Sequence, residues 1–369
     1  MSRKKPDIIL LVIILLLLFW GLFTLATVSF PYSLEKYGGS WHYFKHQLLA
    51  GLLPGIIGAL FFFKIELAKL KKLSIYLLGF NLFLLILIFL PHIGAEINGA
   101  RRWLKLGPIM FQPSEFLKIT FPLYISAWLS NKLKGGGEKK SNTEAPFVFI
   151  VMVVILGIIF LLQPDLSTFI IIVLIGAIIY FVSSTPWWHF LILIFGGTGL
   201  TALFIKLSPY RMSRVITMFN PQSDPLGAGY QLKQALIAIG SGRIFGINEG
   251  FSLGLSRQKF GFLPHSMTDS IFAIVGEELG FVGAFLLVML FLALAWKGIQ
   301  IAKRNKSEFG KLLAMGIVSW FSFQAFFNIC GITGILPLAG IPLPFFSYGA
   351  SHFIAEMAGA GILLNLSKK

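Results

Sequence analysis

Carboxylates and cations gather at a few places in an otherwise apolar chain, and those places bound its chemistry. Arg101, Arg102, Lys105 and Lys118 fall in one stretch; Arg211, Arg214, Lys233, Arg243, Arg257 and Lys259 fall in another. Glu96, Glu115, Asp165, Asp224, Glu249, Asp269 and Glu277 interleave with them. Guanidinium groups suit an anionic ligand such as a lipid pyrophosphate, because their planar fork of donors matches phosphate oxygens. A carboxylate beside them would take a proton from an attacking hydroxyl while the cations steady a departing pyrophosphate. That chemistry fits transfer of a sugar from a pyrophosphate carrier. The bland alternative is that long loops merely tolerate positive charge.

Local structural roles compete with this reading. In "QPSEFLK", Ser114 is placed to cap a helix and Glu115 to favour its positive end. Lys118 opposes that dipole and needs a partner, which Glu115, three residues earlier on the same face, supplies. Asp165 in "QPDLST" and Asp269 in "LPHSMTDSIFA" both stand at helix starts, where capping is common. Glu277, Glu278 and Glu356 lie inside apolar segments, where an acid is a functional candidate unless another helix neutralises it. His42 and His46 have the spacing of two metal ligands but sit at a membrane boundary, where amphipathic rings are common. "GSGRIFG" follows no strand, so it is no nucleotide loop, and there is neither a zinc signature nor a Walker loop. The spacings specify no metal site.

These residues must be positioned by membrane helices. Charged residues make up only 12% of the 369 residues and the mean hydropathy is +0.82, which excludes an ordinary soluble domain. Spans are expected at 8–30, 43–63, 73–91, 114–131, 146–163, 166–184, 187–207, 271–296, 310–332 and 345–366, giving an all-α polytopic protein with about ten transmembrane helices. The first apolar run is too long for a signal-peptide core and reads as an uncleaved span. The fourth is the least apolar, yet it is required to place the basic loops 64–72 and 132–140 on one side. With Arg3, Lys4 and Lys5 inside, Lys297, Lys303, Arg304, Lys306, Lys311, Lys368 and Lys369 are cytoplasmic as well, and Pro186 marks an uncharged turn. Both termini are therefore expected in the cytoplasm. The net charge of +16 lies in short clusters between spans, which orients the protein and argues against nucleic acid. Residues 92–113 and 208–270 become outer connections, the second lying between helices 7 and 8. Its segment "YQLKQALIAIG" is suited to a short interfacial helix. The stretch from 337 to 344, with three prolines, reads as a rigid outer or re-entrant piece. Cys330 is the only cysteine, so no internal disulfide forms.

Five motifs, in order, resemble one known family. "GARRW" (99–103), "QPSEFLK" (112–118), "QPD" (163–165), "TDSIFAIVGEELGFVG" (268–283) and "GIPLPFFSYG" (340–349) are similar to those of the SEDS proteins of shape, elongation, division and sporulation. "DPLGAGYQLKQALIAIGSG" (224–242) and "SRQKFGFLP" (256–264) resemble the division branch, FtsW, more than the elongation branch, RodA. The resemblance implies a single membrane domain over 1–369 that polymerises lipid II into glycan strands at the outer face of the bacterial cytoplasmic membrane. It implies release of undecaprenyl pyrophosphate and a class B penicillin-binding protein as transpeptidase partner, among other division or elongation proteins and the membrane lipids. By the same resemblance Asp269 is the catalytic base, and Glu115, Lys118, Arg101, Arg102, Trp103 and Asp165 serve the substrate, with Arg211 and Arg214 added from the second basic stretch. A divalent cation, Mg or Mn, is compatible with the family. His265, Ser167, Arg243 and Ala350 stand where the family usually has Glu or Gly. A lipid II flippase and a non-catalytic scaffold are the rival functions.

Overall fold

The computed structural model describes residues 5–97, 100–107, 109–134, 144–183, 187–206, 208–247 and 254–368. Arg3, Lys4, Gly99, Lys139, Lys140, Pro186, Glu249 and Lys369, used above for topology, charge or motif, lie outside the described residues. The helices match the expected spans one for one. They are α1 (Ile8–Tyr37), α2 (His42–His46) running through a π-turn into α3 (Leu53–Lys64), α4 (Leu67–Leu87), α5 (Pro113–Lys134), α6 (Glu144–Leu162), α7 (Leu166–Val182) and α8 (Trp187–Lys206). After the long connection come α11 (Ile271–Arg304), α12 (Glu308–Ile332) and α13 (Ala350–Leu366). Several are long and apolar enough to cross a membrane, and their outer faces carry Ile8, Leu15, Phe19, Leu49, Phe80, Phe285 and Leu292. Lipid is the natural solvent for such faces. The protein is a multi-pass membrane protein.

The centre of the bundle is the reverse. α5, α12 and α13 are buried along most of their length and pack on one another, while α7 and α11 flank α12. α5 opens one residue earlier than expected, at Pro113, whose missing N–H suits a first turn. Ser114 is not the cap; its hydroxyl accepts from the Gln112 side chain at 3.1 Å.

Two connections hold structure that an all-α reading misses. Residues 94–111 form an antiparallel meander of β1 (Gly94–Ile97), β2 (Ala100–Leu106) and β3 (Ile109–Phe111). The 208–270 connection contains α9 (Pro209–Phe219) as well as α10 (Ala228–Ser241), the short helix expected in "YQLKQALIAIG".

α11 is broken by design at Gly280, which takes φ +65° and ψ −163°. The segment after α10 fills the break: Phe281 and Val282 donate their N–H groups to the carbonyls of Arg243 and Ile244, at 2.9 and 3.1 Å. A methyl group on Gly280 would lie 2.5 Å from Gly246 N and from Ile244 O. Gly280→Ala is therefore expected to cost about 2–4 kcal/mol through overpacking and a left-handed backbone. A fall in the melting temperature of the detergent-purified protein would register it. Arg243 itself has φ +47°, a left-handed conformation that glycine adopts more readily than arginine.

Candidate active site

The site is organised by the non-helical strip between α12 and α13. Pro337, Pro342 and Pro344 keep this backbone from closing helical hydrogen bonds, so its carbonyls must find other donors. Those donors arrive in succession from three elements. Arg214 of α9 donates from Nη1 to the Leu338 carbonyl at 2.6 Å, and Ser167 of α7 donates to Ala339 at 2.6 Å. Asn328 and Gln324 of α12 donate to Ile341 and Pro342, at 2.7 and 3.1 Å. Gly340, at the middle of the strip, has φ +64°. A methyl group built there would lie 3.7 Å from Arg214 Nη1 and 3.9 Å from Asp269 Oδ2. A guanidinium and a carboxylate thus converge over a bare glycine.

Asp269 sits half-buried in the turn before α11. Its Oδ1 accepts from Thr268 Oγ1 at 3.1 Å and its Oδ2 from Gln231 Nε2 of α10 at 3.3 Å. It does not cap the helix: Ser270 holds the cap position and makes no side-chain capping bond. The helix-start explanation for Asp269 is therefore withdrawn, and its carboxylate stays directed by neutral donors. Its backbone is fixed as well. Asn328 Nδ2 donates to the Asp269 carbonyl at 2.7 Å, Ser347 Oγ to Thr268 O at 2.5 Å, and Tyr348 N to Met267 O at 2.7 Å.

A second carboxylate and two further guanidinium groups stand at the start of α7. Asp165 caps that helix as expected, Oδ1 accepting from Thr168 N at 3.4 Å, while its buried Oδ2 has no hydrogen-bond partner. Burial, and then the Arg102 guanidinium, hold Arg211 below its ordinary pKa, while Asp165 draws it back up. Arg211 still stays charged, because no protein site deprotonates arginine. Arg102 is fixed by donating to the carbonyls of Gln163 and Pro164. Along β2 side chains alternate, so Arg101 and Trp103 occupy the face opposite Arg102. Arg101 is half exposed and pairs with Glu96 at 3.1 Å. Arg214 and Asp269 thus meet over the strip, while Arg102 and Arg211 stand with Asp165 at the start of α7, two residues before the Ser167 contact to the strip; Arg101 is turned to Glu96 instead.

The Glu115–Lys118 pair forms as expected, at 2.7 Å, but is almost fully buried. It lies within the bundle, where Lys118 also donates to Gln324 Oε1 at 2.9 Å. Glu356, for which no partner was evident, is fully buried and accepts from Gln324 Nε2 at 3.0 Å and from Phe345 N at 2.8 Å, with His352 Nδ1 at 3.2 Å. Its neighbours come from α12, the strip and its own helix. Glu277 and Glu278 hold the loop ahead of Asp269. Glu277 accepts from Ser256 Oγ and from Arg257 N and Gln258 N, and Glu278 lies 3.5 Å from Lys259 Nζ. The expected cation thus comes from a loop rather than a helix.

This arrangement has known counterparts. The family described as cell cycle protein, of FtsW, RodA and SpoVE, matches residues 8–369. The chain belongs to this FtsW/RodA/SpoVE family. It is 38% identical to stage V sporulation protein E of Bacillus subtilis (strain 168), over 100% of this chain and 99% of that protein. It is 36% identical to a probable peptidoglycan glycosyltransferase FtsW of Aliivibrio salmonicida (strain LFI1238), over 94% of this chain and 85% of that one. Among solved structures it resembles a chain from work on the coordination of polymerization and crosslinking by a peptidoglycan synthase complex (TM-score 0.77, 27% identity, 99% of this chain and 98% of that chain). It also resembles the rod shape determining protein RodA of Thermus thermophilus (TM-score 0.71, 25% identity, 98% and 96%).

Among the described residues of this family member, no three His, Cys, Asp or Glu side chains converge to hold a metal ion. Magnesium needs less than that, since one or two carboxylates plus substrate phosphates commonly bind it. Asp269, and the unpartnered Oδ2 of Asp165, fit that lighter requirement. The residues that sequence reasoning overlooked are Gln231, Gln324 and Asn328. Gln324 and Asn328 did carry a signal: two amides four residues apart share one face of an otherwise apolar span.

Proposed function

We propose that the chain is a peptidoglycan glycosyltransferase that polymerises lipid II at the outer face of the bacterial cytoplasmic membrane, with both termini in the cytoplasm. Family membership and relatives named for this activity support the reaction class. The observation that carries the site is the approach of the Asp269 carboxylate and the Arg214 guanidinium across Gly340. In this reading the acceptor sugar's hydroxyl attacks the anomeric carbon of the lipid-linked donor. Asp269 takes the hydroxyl proton, the glycosidic bond forms, and the bond to the pyrophosphate oxygen breaks. Arg214, Arg211 and Arg102 receive the negative charge of the departing undecaprenyl pyrophosphate. A divalent cation held by Asp269 or Asp165 together with the phosphates would add charge neutralisation. A class B penicillin-binding protein is the proposed transpeptidase partner, in keeping with the synthase complex whose chain this one resembles.

Purified protein given labelled lipid II is expected to yield polymer resolvable on a gel. Lipid II that crosses a liposome membrane without becoming polymer would instead identify a transporter. Arg211→Ala is expected to raise KM for lipid II about tenfold, the worth of one charge-assisted hydrogen bond, with a smaller change in kcat. An unchanged KM would remove Arg211 from the phosphate site.

A further inference from the structure

We propose that Gln324, in the middle of α12, is the positioning residue that sets the strip against Asp269; this rests on the polymerase reading above. Gln324 is fully buried, and every hydrogen-bonding position of its amide is used. Its oxygen accepts from Lys118 Nζ at 2.9 Å and from Trp320 Nε1 at 2.7 Å. Its nitrogen donates to Pro342 O at 3.1 Å and to Glu356 Oε1 at 3.0 Å. One amide therefore joins the Glu115–Lys118 pair on α5, the Glu356–His352 pair on α13 and the backbone of the strip.

The strip is held on both sides of that contact. Glu356 uses its second oxygen to fix Phe345 N at 2.8 Å, and Phe345 has φ +66°, a left-handed conformation that a phenylalanine keeps only when its surroundings impose it. Asn328, one turn beyond Gln324, bonds Ile341 O and Asp269 O, both at 2.7 Å. Bonds at 341, 342 and 345 thereby fix the C-terminal side of Gly340, while the same helix face holds the backbone of the base. The register between carboxylate and guanidinium is set from α12, by a residue that need not touch substrate. The same geometry gives the buried ion pair a purpose. Lys118 and Trp320 occupy the amide oxygen, which leaves the nitrogen side turned toward the strip and Glu356.

The test exchanges polarity at two positions while keeping volume. Gln324→Glu still accepts from Lys118 and Trp320, but it cannot donate to Pro342 and it sets a second carboxylate against Glu356. In lipid II polymerisation by the purified full-length protein, kcat is expected to fall at least about tenfold with KM within about twofold, since the loss is of alignment rather than binding. The exchanged pair Gln324→Glu with Glu356→Gln removes the like-charge clash between the two helices but still leaves Pro342 O without its donor, and is expected to melt close to wild type while its kcat stays within about threefold of the single variant's. Wild-type kcat in Gln324→Glu, an effect confined to KM, or an exchanged pair whose kcat returns to the wild-type value along with its melting temperature would overturn the proposal. A wild-type protein that makes no polymer would refute the functional reading instead.

Discussion

Asp269→Asn is expected to reduce polymer formation from lipid II at least about a hundredfold, the usual contribution of a positioned general base, while leaving the protein folded. The substitution removes the proton acceptor and little else. An amide oxygen can still accept from Thr268 Oγ1 or Gln231 Nε2, and the backbone carbonyl keeps its bond from Asn328. Asp269 caps no helix, so no capping energy is lost with the charge. The assay is a gel of labelled lipid II products beside a melting curve of the same preparation. Polymer at the wild-type rate from the Asn variant would strip position 269 of its assigned role.

Lys118→Met has the largest expected effect on stability. Lys118 and Glu115 have side chains only 1% and 5% exposed, so deleting the cation strands a buried carboxylate. Breaking one partner of such a pair costs about 3–5 kcal/mol, whereas replacing both with apolar or neutral groups of similar volume is often close to neutral. The double variant Glu115→Gln with Lys118→Met is accordingly expected to regain more than half of the melting temperature lost by the single one. Equal melting of wild type and Lys118→Met would show that the pair is not a buried charge balance. The double variant is still expected to be a slow enzyme, because Gln324 has lost one of the two donors that orient its amide.

The helical frame was legible in the sequence because long apolar runs have few alternatives in a membrane, and charge in the short loops fixes their order. The Glu115–Lys118 pair was legible from its spacing, whereas Asp269 stood out only through the resemblance of its motif, since its position alone also fitted a helix start. The meander at 94–111 was hidden because its strands are short and carry Arg101, Arg102 and Lys105, so neither apolar periodicity nor length marks them. Its alternation decides which basic side chain turns toward α7, which is why Arg102 bonds the backbone before Asp165 and Arg101 is spent on Glu96. The partners of Glu277 and Glu278 come from a loop, and two of those of Glu356 from α12 and the proline-rich strip, all placed by tertiary structure. The buried Glu115–Lys118 pair was local enough to read by spacing, and His352, four residues before Glu356 on the same helix, was a local signal that went unread.

To act as the base, Asp269 must lie in an outward-facing pocket that lipid II enters. With Cys330→Ser removing the only native thiol, Asp269→Cys can be treated with a membrane-impermeant maleimide in right-side-out vesicles. The prediction is labelling from the outer face, suppressed when lipid II is added. Labelling obtained only after the inner face is opened to the reagent would contradict it.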